Sequence, residues 1–85
     1  MNIKKIAGEN IRGFRTTLNW SQEKLAGESG LFYTYIGKVE RAEATISITN
    51  LAKIAKALGV EPITLLTKDA FFHPGKFQKI IAKRK

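Results

Sequence analysis

The sequence predicts an all-α fold: a compact bundle of five short helices followed by a short basic C-terminal extension. Three observations predict it. Apolar residues recur at helical spacing, as in Ile3, Ala7, Ile11, Phe14 and Leu18, which form one stripe. Punctuation follows at short intervals, with Ser21 and Ser47 where helices would start and Asn19, Gly30 and Gly59 where they would stop. No segment shows a convincing strand pattern.

The first helix is expected over about Ile3 to Leu18, with Asn19 in the left-handed position that ends it. Ser21 then caps a second, Gln22 to Ser29, with Glu23 placing negative charge in its first turn. Trp20 and Leu25 stand at the two positions of a hydrophobic staple, whereas Lys24 takes the place a reciprocal capping box would give to Glu or Gln. A third helix is expected over Tyr33 to Arg41, with Ile36 and Val39 inward. Ser47 caps a fourth, Ile48 to Leu58, whose stripe is Leu51, Ile54, Ala55 and Leu58. Pro62 suits the first position of a fifth, Pro62 to Thr67. The run Phe71-Phe72-His73-Pro74-Gly75 then breaks the pattern, so the chain divides into a domain over 1–70 and an extension over 71–85.

Composition narrows the function classes. The chain has 85 residues, enough for a single domain, with 15 Lys+Arg against 7 Asp+Glu, a formal charge of +8 and a pI near 10.1. That excess favours a polyanion, whether DNA, RNA or an anionic membrane, and charge alone does not choose among them. There is no cysteine and a single histidine, His73, read as a loop residue, so no metal site, disulfide or cofactor is expected. Nothing pairs a nucleophile with a base at a recognisable spacing, and no glycine-rich phosphate loop is present, so an enzyme is not expected. Met1 to Arg12 interleaves charged and apolar residues, unlike a secretory signal, and no apolar run approaches the ~20 residues that span a bilayer. A soluble, cytoplasmic protein without a membrane partner is the expectation.

The segment Gln22 to Arg41, QEKLAGESGLFYTYIGKVER, carries the functional signal. Two short helices that cross steeply over a tight turn need a small residue where they touch, and Ala26 supplies it. The turn needs a residue tolerant of positive φ, and Gly30 supplies that. Apolar residues must point back from both helices, as Leu25, Leu31, Ile36 and Val39 do. These features in register within twenty residues make a specific pattern, that of a helix-turn-helix.

Here the sequence resembles the Cro and phage-repressor helix-turn-helix family, with its lambda-repressor-like DNA-binding domain, including small controller proteins of restriction–modification operons. The resemblance covers about Gly8 to Leu66. It rests on Ile11-Arg12 with Arg15, on Trp20-Ser21-Gln22-Glu23-Lys24-Leu25-Ala26, on Thr34-Tyr35-Ile36-Gly37-Lys38-Val39-Glu40-Arg41, and on Ser47 with Leu51 to Val60. It implies a transcription regulator that binds double-stranded DNA as a homodimer on a pseudo-palindromic operator, with RNA polymerase a candidate further partner. It also implies roles for residues. Tyr33, Thr34 and Lys38 match positions that enter the major groove, with Phe32 and Gly37 on the same surface. Lys38 suits guanine O6/N7, and Thr34 a hydroxyl contact or a thymine methyl. Gln22 matches a phosphate ligand at a helix N-terminus; Tyr35 suits a backbone contact or a reading of groove shape, and Thr45 is a weaker phosphate candidate. Arg15 and Glu40 match an internal ion pair. Val60, Ile63, Leu65 and Leu66 match the region of a two-fold contact, with Phe71, Phe72 and Phe77 as assistants.

Plainer readings stand beside these. The alternative reading of Lys38 is a solvated lysine, of the tyrosines packing residues, of Gln22 a helix starter, and of the fifth helix ordinary core. Arg15 has phosphate as a rival partner to Glu40. Lys76, Lys79, Lys83, Arg84 and Lys85 suit a solubilising tail as well as a non-specific DNA contact. An antitoxin or other protein-interaction module on the same fold is the rival function. Two departures from the resembling family stand out. Ala42 occupies the position where its members often have glycine, and the groove-facing positions of the third helix lack Arg, Asn or Gln.

Overall fold

The computed structural model of the chain describes residues 2–72. Expectations placed on His73, Phe77 and the basic residues from Lys76 to Lys85 lie outside them. The described chain is helical: α1 (Ile3–Thr17), α2 (Gln22–Ser29), α3 (Tyr33–Glu40), α4 (Ile48–Leu58) and α5 (Pro62–Leu65), followed by a single 3₁₀ turn at Ala70–Phe72. Among the described residues no helix is long and apolar enough to cross a membrane.

Side-chain caps start three of the helices. Asn2 accepts from the Lys5 N–H at 3.1 Å, Ser21 from Lys24 at 3.0 Å and Ser47 from Asn50 at 3.1 Å, each satisfying a donor that the helix itself cannot. The ends share one device. Asn19, Gly30, Ala42 and Gly59 all take positive φ, at 60°, 75°, 60° and 78°. The residue after each donates back to the carbonyl five residues earlier: Trp20 to Arg15, Leu31 to Ala26, Glu43 to Lys38 and Val60 to Ala55. This is the Schellman closure, and it turns the chain sharply at the end of α1, α2, α3 and α4.

The stripes meet in a single core. Ile11, Phe14, Leu25, Ala26, Ile36, Val39, Leu51, Ile54, Ala55 and Leu58 are buried together. Ile3 departs from expectation. It is 46% exposed, because the first turn of α1 overhangs a shallow groove that it shares with Ile46, Ile48, Leu51 and Leu66 instead of packing into the centre. Gly8 sets the approach of α1 to α3: a Cβ there would lie 2.6 Å from the Val39 carbonyl oxygen and 2.7 Å from that of Glu40. Only glycine allows that contact.

Two expectations about the C-terminal part need correction. Val60 and Leu65, placed at a subunit contact, are 1% and 0% exposed within the chain's own core. The left-handed Gly59 turns Val60 inward, and α5 is so short that Leu65 points down its inner side. Ile63, 68% exposed, and the half-buried Leu66 remain on the outside. The packed unit also runs past residue 70, since Phe71 lies over Gly13 of α1 and its N–H donates to the Asn10 side-chain oxygen.

Asn10 explains why α5 stops at Leu65 instead of Thr67. Its side-chain amide, buried at 1% exposure, donates to the carbonyls of Leu65 at 2.9 Å and Thr67 at 2.7 Å. Those oxygens are thereby satisfied from outside the helix, and the last turn tightens, with Leu66 donating to Ile63. No buried side-chain nitrogen or oxygen among the described residues lacks a hydrogen-bond partner.

Candidate nucleic-acid interface

The motif is built by α2 and α3 around Gly30. Ser21 starts α2, and Gly30 ends it in the left-handed conformation that a side chain would strain. Leu31 and Phe32 make the connection, and α3 starts without a side-chain cap because Phe32 occupies the N-cap position. Ile36 and Val39 bury one side of α3, at 0% and 2% exposure. With 3.6 residues per turn, that anchoring turns Tyr33, Thr34 and Lys38 outward. All three are exposed, and Phe32 at the entrance to the helix is 84% exposed.

Beneath this surface lies an ionic hub joining three helices. Arg15 of α1 grips Glu40 of α3 with both sides of its guanidinium, Nε to Oε2 at 2.7 Å and Nη2 to Oε1 at 2.9 Å. Its remaining nitrogen, Nη1, donates to the Trp20 carbonyl at 2.7 Å. Gln22 of α2 adds a bond from Nε2 to Glu40 Oε1 at 3.1 Å. The side chains of Arg15 and Glu40 are 11% and 3% exposed, so the pair is held out of water and every strong donor or acceptor in it is matched. This arrangement fixes the position of α3 against both of its neighbours.

The other sequence-chosen residues fall in three situations. Gln22 and Gly37 line one cleft with Tyr33, Thr34, Lys38 and Arg41. Gly37 is nevertheless buried, correcting its placement on the open surface: the Gln22 oxygen and the Arg41 guanidinium lie over it. One of the two amide N–H donors of Gln22 is engaged by Glu40, so donors for an anion at this end of α2 are its second N–H and the backbone N–H groups of the first turn. Tyr35 is half-buried against the core, and its hydroxyl accepts from the Asn50 side chain at the start of α4, at 3.2 Å. Thr45 is exposed in the connection between α3 and α4.

Arg41 belongs to the motif read from the sequence, but that reading assigns it no role at the site. It lies at the C-cap of α3, borders the cleft formed with Tyr33, Thr34 and Lys38, and pairs with Glu43, Nε to Oε2 at 2.9 Å and Nη2 to Oε1 at 3.3 Å. Its hydrogen bond to Glu43 raises the Arg41 pKa further, and the same bond holds the Glu43 carboxyl below the usual range, helped by Lys38 nearby. A terminal Arg after the last helical residue is ordinary helix-end composition, so nothing in the sequence set it apart.

Comparison with known proteins agrees with this geometry. Residues 11–65 match the helix-turn-helix family. The chain is similar to the control protein C.SmaI of Serratia marcescens, 48% identical over 80% of this chain and 81% of that one. It superposes on the restriction–modification controller protein C.AhdI from Aeromonas hydrophila with a TM-score of 0.71, at 42% identity over 73% of this chain and 94% of the other. A structure of SinR, the master regulator for biofilm formation, in complex with DNA superposes at a TM-score of 0.68, with 31% identity over 72% of this chain and 98% of the chain in that structure. With most of its described residues inside that match, and with the Gly30 turn and an outward-facing α3 in place, the chain belongs to the helix-turn-helix family.

Proposed function

We propose that this protein is a transcription regulator that binds a specific double-stranded DNA site, of the kind that controls a restriction–modification operon. The observation that carries the reading is the division of α3. Ile36 and Val39 hold it to the core, while Tyr33, Thr34 and Lys38, with Phe32 at its start, stand in solvent. A helix anchored on one side and bearing donors, a methyl and aromatic rings on the other is what a major groove accepts. The net charge of +8 supplies sequence-independent attraction to phosphate.

The mechanism is equilibrium binding without covalent chemistry, in the cytoplasm beside the genome. Phe32, Tyr33, Thr34 and Lys38 face base edges, and the first turn of α2 at Gln22, together with Thr45, meets the backbone. Two copies joined through the outward part of α5 would place their α3 helices in successive major grooves, roughly 34–36 Å apart, on a pseudo-palindromic site. Ile63 and Leu66, with the groove lined by Ile3, Ile46 and Ile48, provide the apolar surface for that contact. Occupancy then depends on protein concentration, and its effect on RNA polymerase depends on where the site lies relative to a promoter.

The test is selection of bound duplexes from a random pool, run in parallel with Thr34→Ala. The expected result is a two-fold-related consensus whose inner positions relax in the variant. Failure to enrich any sequence overturns the proposal.

A further inference from the structure

A second cleft lies beside the recognition surface, lined by Arg12 and Arg15 of α1, Gln22 of α2, Glu40 of α3 and Arg41. Within it the charges of Arg15 and Glu40 are committed to each other. Those of Arg12 and Arg41 are not spent on the core. Arg12 is exposed and has no ion-pair partner among the described residues. Arg41 borders both this cleft and the one formed by Tyr33, Thr34, Gly37 and Lys38. Its partner Glu43 follows two residues later on the turn closed by Ala42, and both side chains are more than half exposed, at 55% and 54%.

On the DNA-binding reading above, we infer that the Arg12–Arg41 cleft is a site for a DNA backbone phosphate, and that Glu43 occupies Arg41 in place of that phosphate in the free protein. The guanidinium fork engages carboxylate and phosphate oxygens in the same geometry, so one displaces the other without moving the backbone. An ion pair this exposed is weak and screened, which makes the exchange easy. Glu43 therefore lowers affinity for every DNA sequence equally, and does so through Arg41.

The experiment is fluorescence anisotropy of the full chain on a labelled duplex of about 25 bp of random sequence and on the selected duplex, from ~50 to ~200 mM salt. Arg12→Gln and Arg41→Gln should each reduce the log–log salt slope, by at most about 0.9 for the one phosphate they share, and each should weaken both duplexes by the same factor. Lys53→Gln makes the same charge change in a separate cleft beside Glu28 and Lys56, and should leave the slope alone. Glu43→Gln should tighten binding about two- to fivefold, and the gain should vanish in the Arg41→Gln background. Unchanged slopes in both arginine variants overturn the site. An equal gain from Glu43→Gln with and without Arg41 overturns the exchange, since it would reflect only the loss of a negative charge. Should the parent protein bind neither duplex, the DNA-binding reading itself is overturned, a result distinct from the other two.

Discussion

At Ala42 the backbone adopts φ 60° without the freedom of glycine. The same Schellman closure ends α1 at Asn19, a residue that tolerates this region, and ends α2 and α4 at Gly30 and Gly59. For alanine the left-handed conformation costs about 1–2 kcal/mol, while glycine at the same position gives back about half of that through the greater entropy of its unfolded chain. Ala42→Gly is therefore expected to stabilise the protein by about 0.5–1 kcal/mol, which for a domain of this size raises the thermal midpoint by several degrees. Differential scanning calorimetry decides it, and a lower midpoint would contradict the argument. The position was legible from the absence of an expected glycine. Asp69, at φ 59°, was not, because its turn depends on how Thr67 and Ala70 are held by α1 and α5. Among the site residues, Tyr33, Thr34 and Lys38 came from the resemblance to helix-turn-helix proteins, and their exposure accords with the inward spacing of Ile36 and Val39. The burial of Gly37 was not legible, since it depends on the side chains of Gln22, from α2, and Arg41, at the end of the same helix, folding over it.

α2 and α4 begin and end at the residues their caps mark, because Ser21, Gly30, Ser47 and Gly59 are strong local signals. α5 is shorter than its pattern suggests, and the cause is distant. Asn10 sits on the apolar stripe of α1 between Ala7 and Phe14 and takes the carbonyls of Leu65, the last residue of α5, and of Thr67 beyond it. A polar residue on an apolar stripe was the available clue; its partners, more than fifty residues away, were not readable. α3 breaks the local rules in another way, having no side-chain cap at Phe32. Departures of this kind are expected where function and stability compete. Its orientation rests instead on the hub of Arg15, Glu40 and Gln22. Glu40→Leu strands the Arg15 guanidinium out of water with only the Trp20 carbonyl to bind, at a cost of about 3–5 kcal/mol. Adding Arg15→Met removes the stranded charge, and the double variant should recover most of the loss. Urea unfolding followed through Trp20, the only tryptophan, measures both. Additive losses in the double variant would show that the pair does not act as a unit.

For the whole molecule, the question is what the exposed apolar surface does. Ile63 is 68% exposed and Ile48 87%, with Ile3 and Leu66 at the margins of the same groove as Ile48. Single exposed apolar residues need no explanation, but several at the edge of so small a domain point to a contact surface. A chain of this length buries only about 60–65% of its unfolded surface, so covering more in a dimer adds stability that the lone domain lacks. Ile63 makes the cleanest test because its side chain contributes little to the core of its own chain. Ile63→Asp should leave the unfolding transition of the monomer nearly unchanged while shifting sedimentation toward the monomer at concentrations where the parent is dimeric. Operator affinity should fall sharply with it, since two half-sites bound by linked copies gain from effective concentration and unlinked copies do not. Binding to a single half-site should be almost unaffected, which separates a broken subunit contact from a damaged recognition helix. If Ile63→Asp sediments like the parent, the α5 surface is not the subunit contact, and pairing must run through another part of the chain.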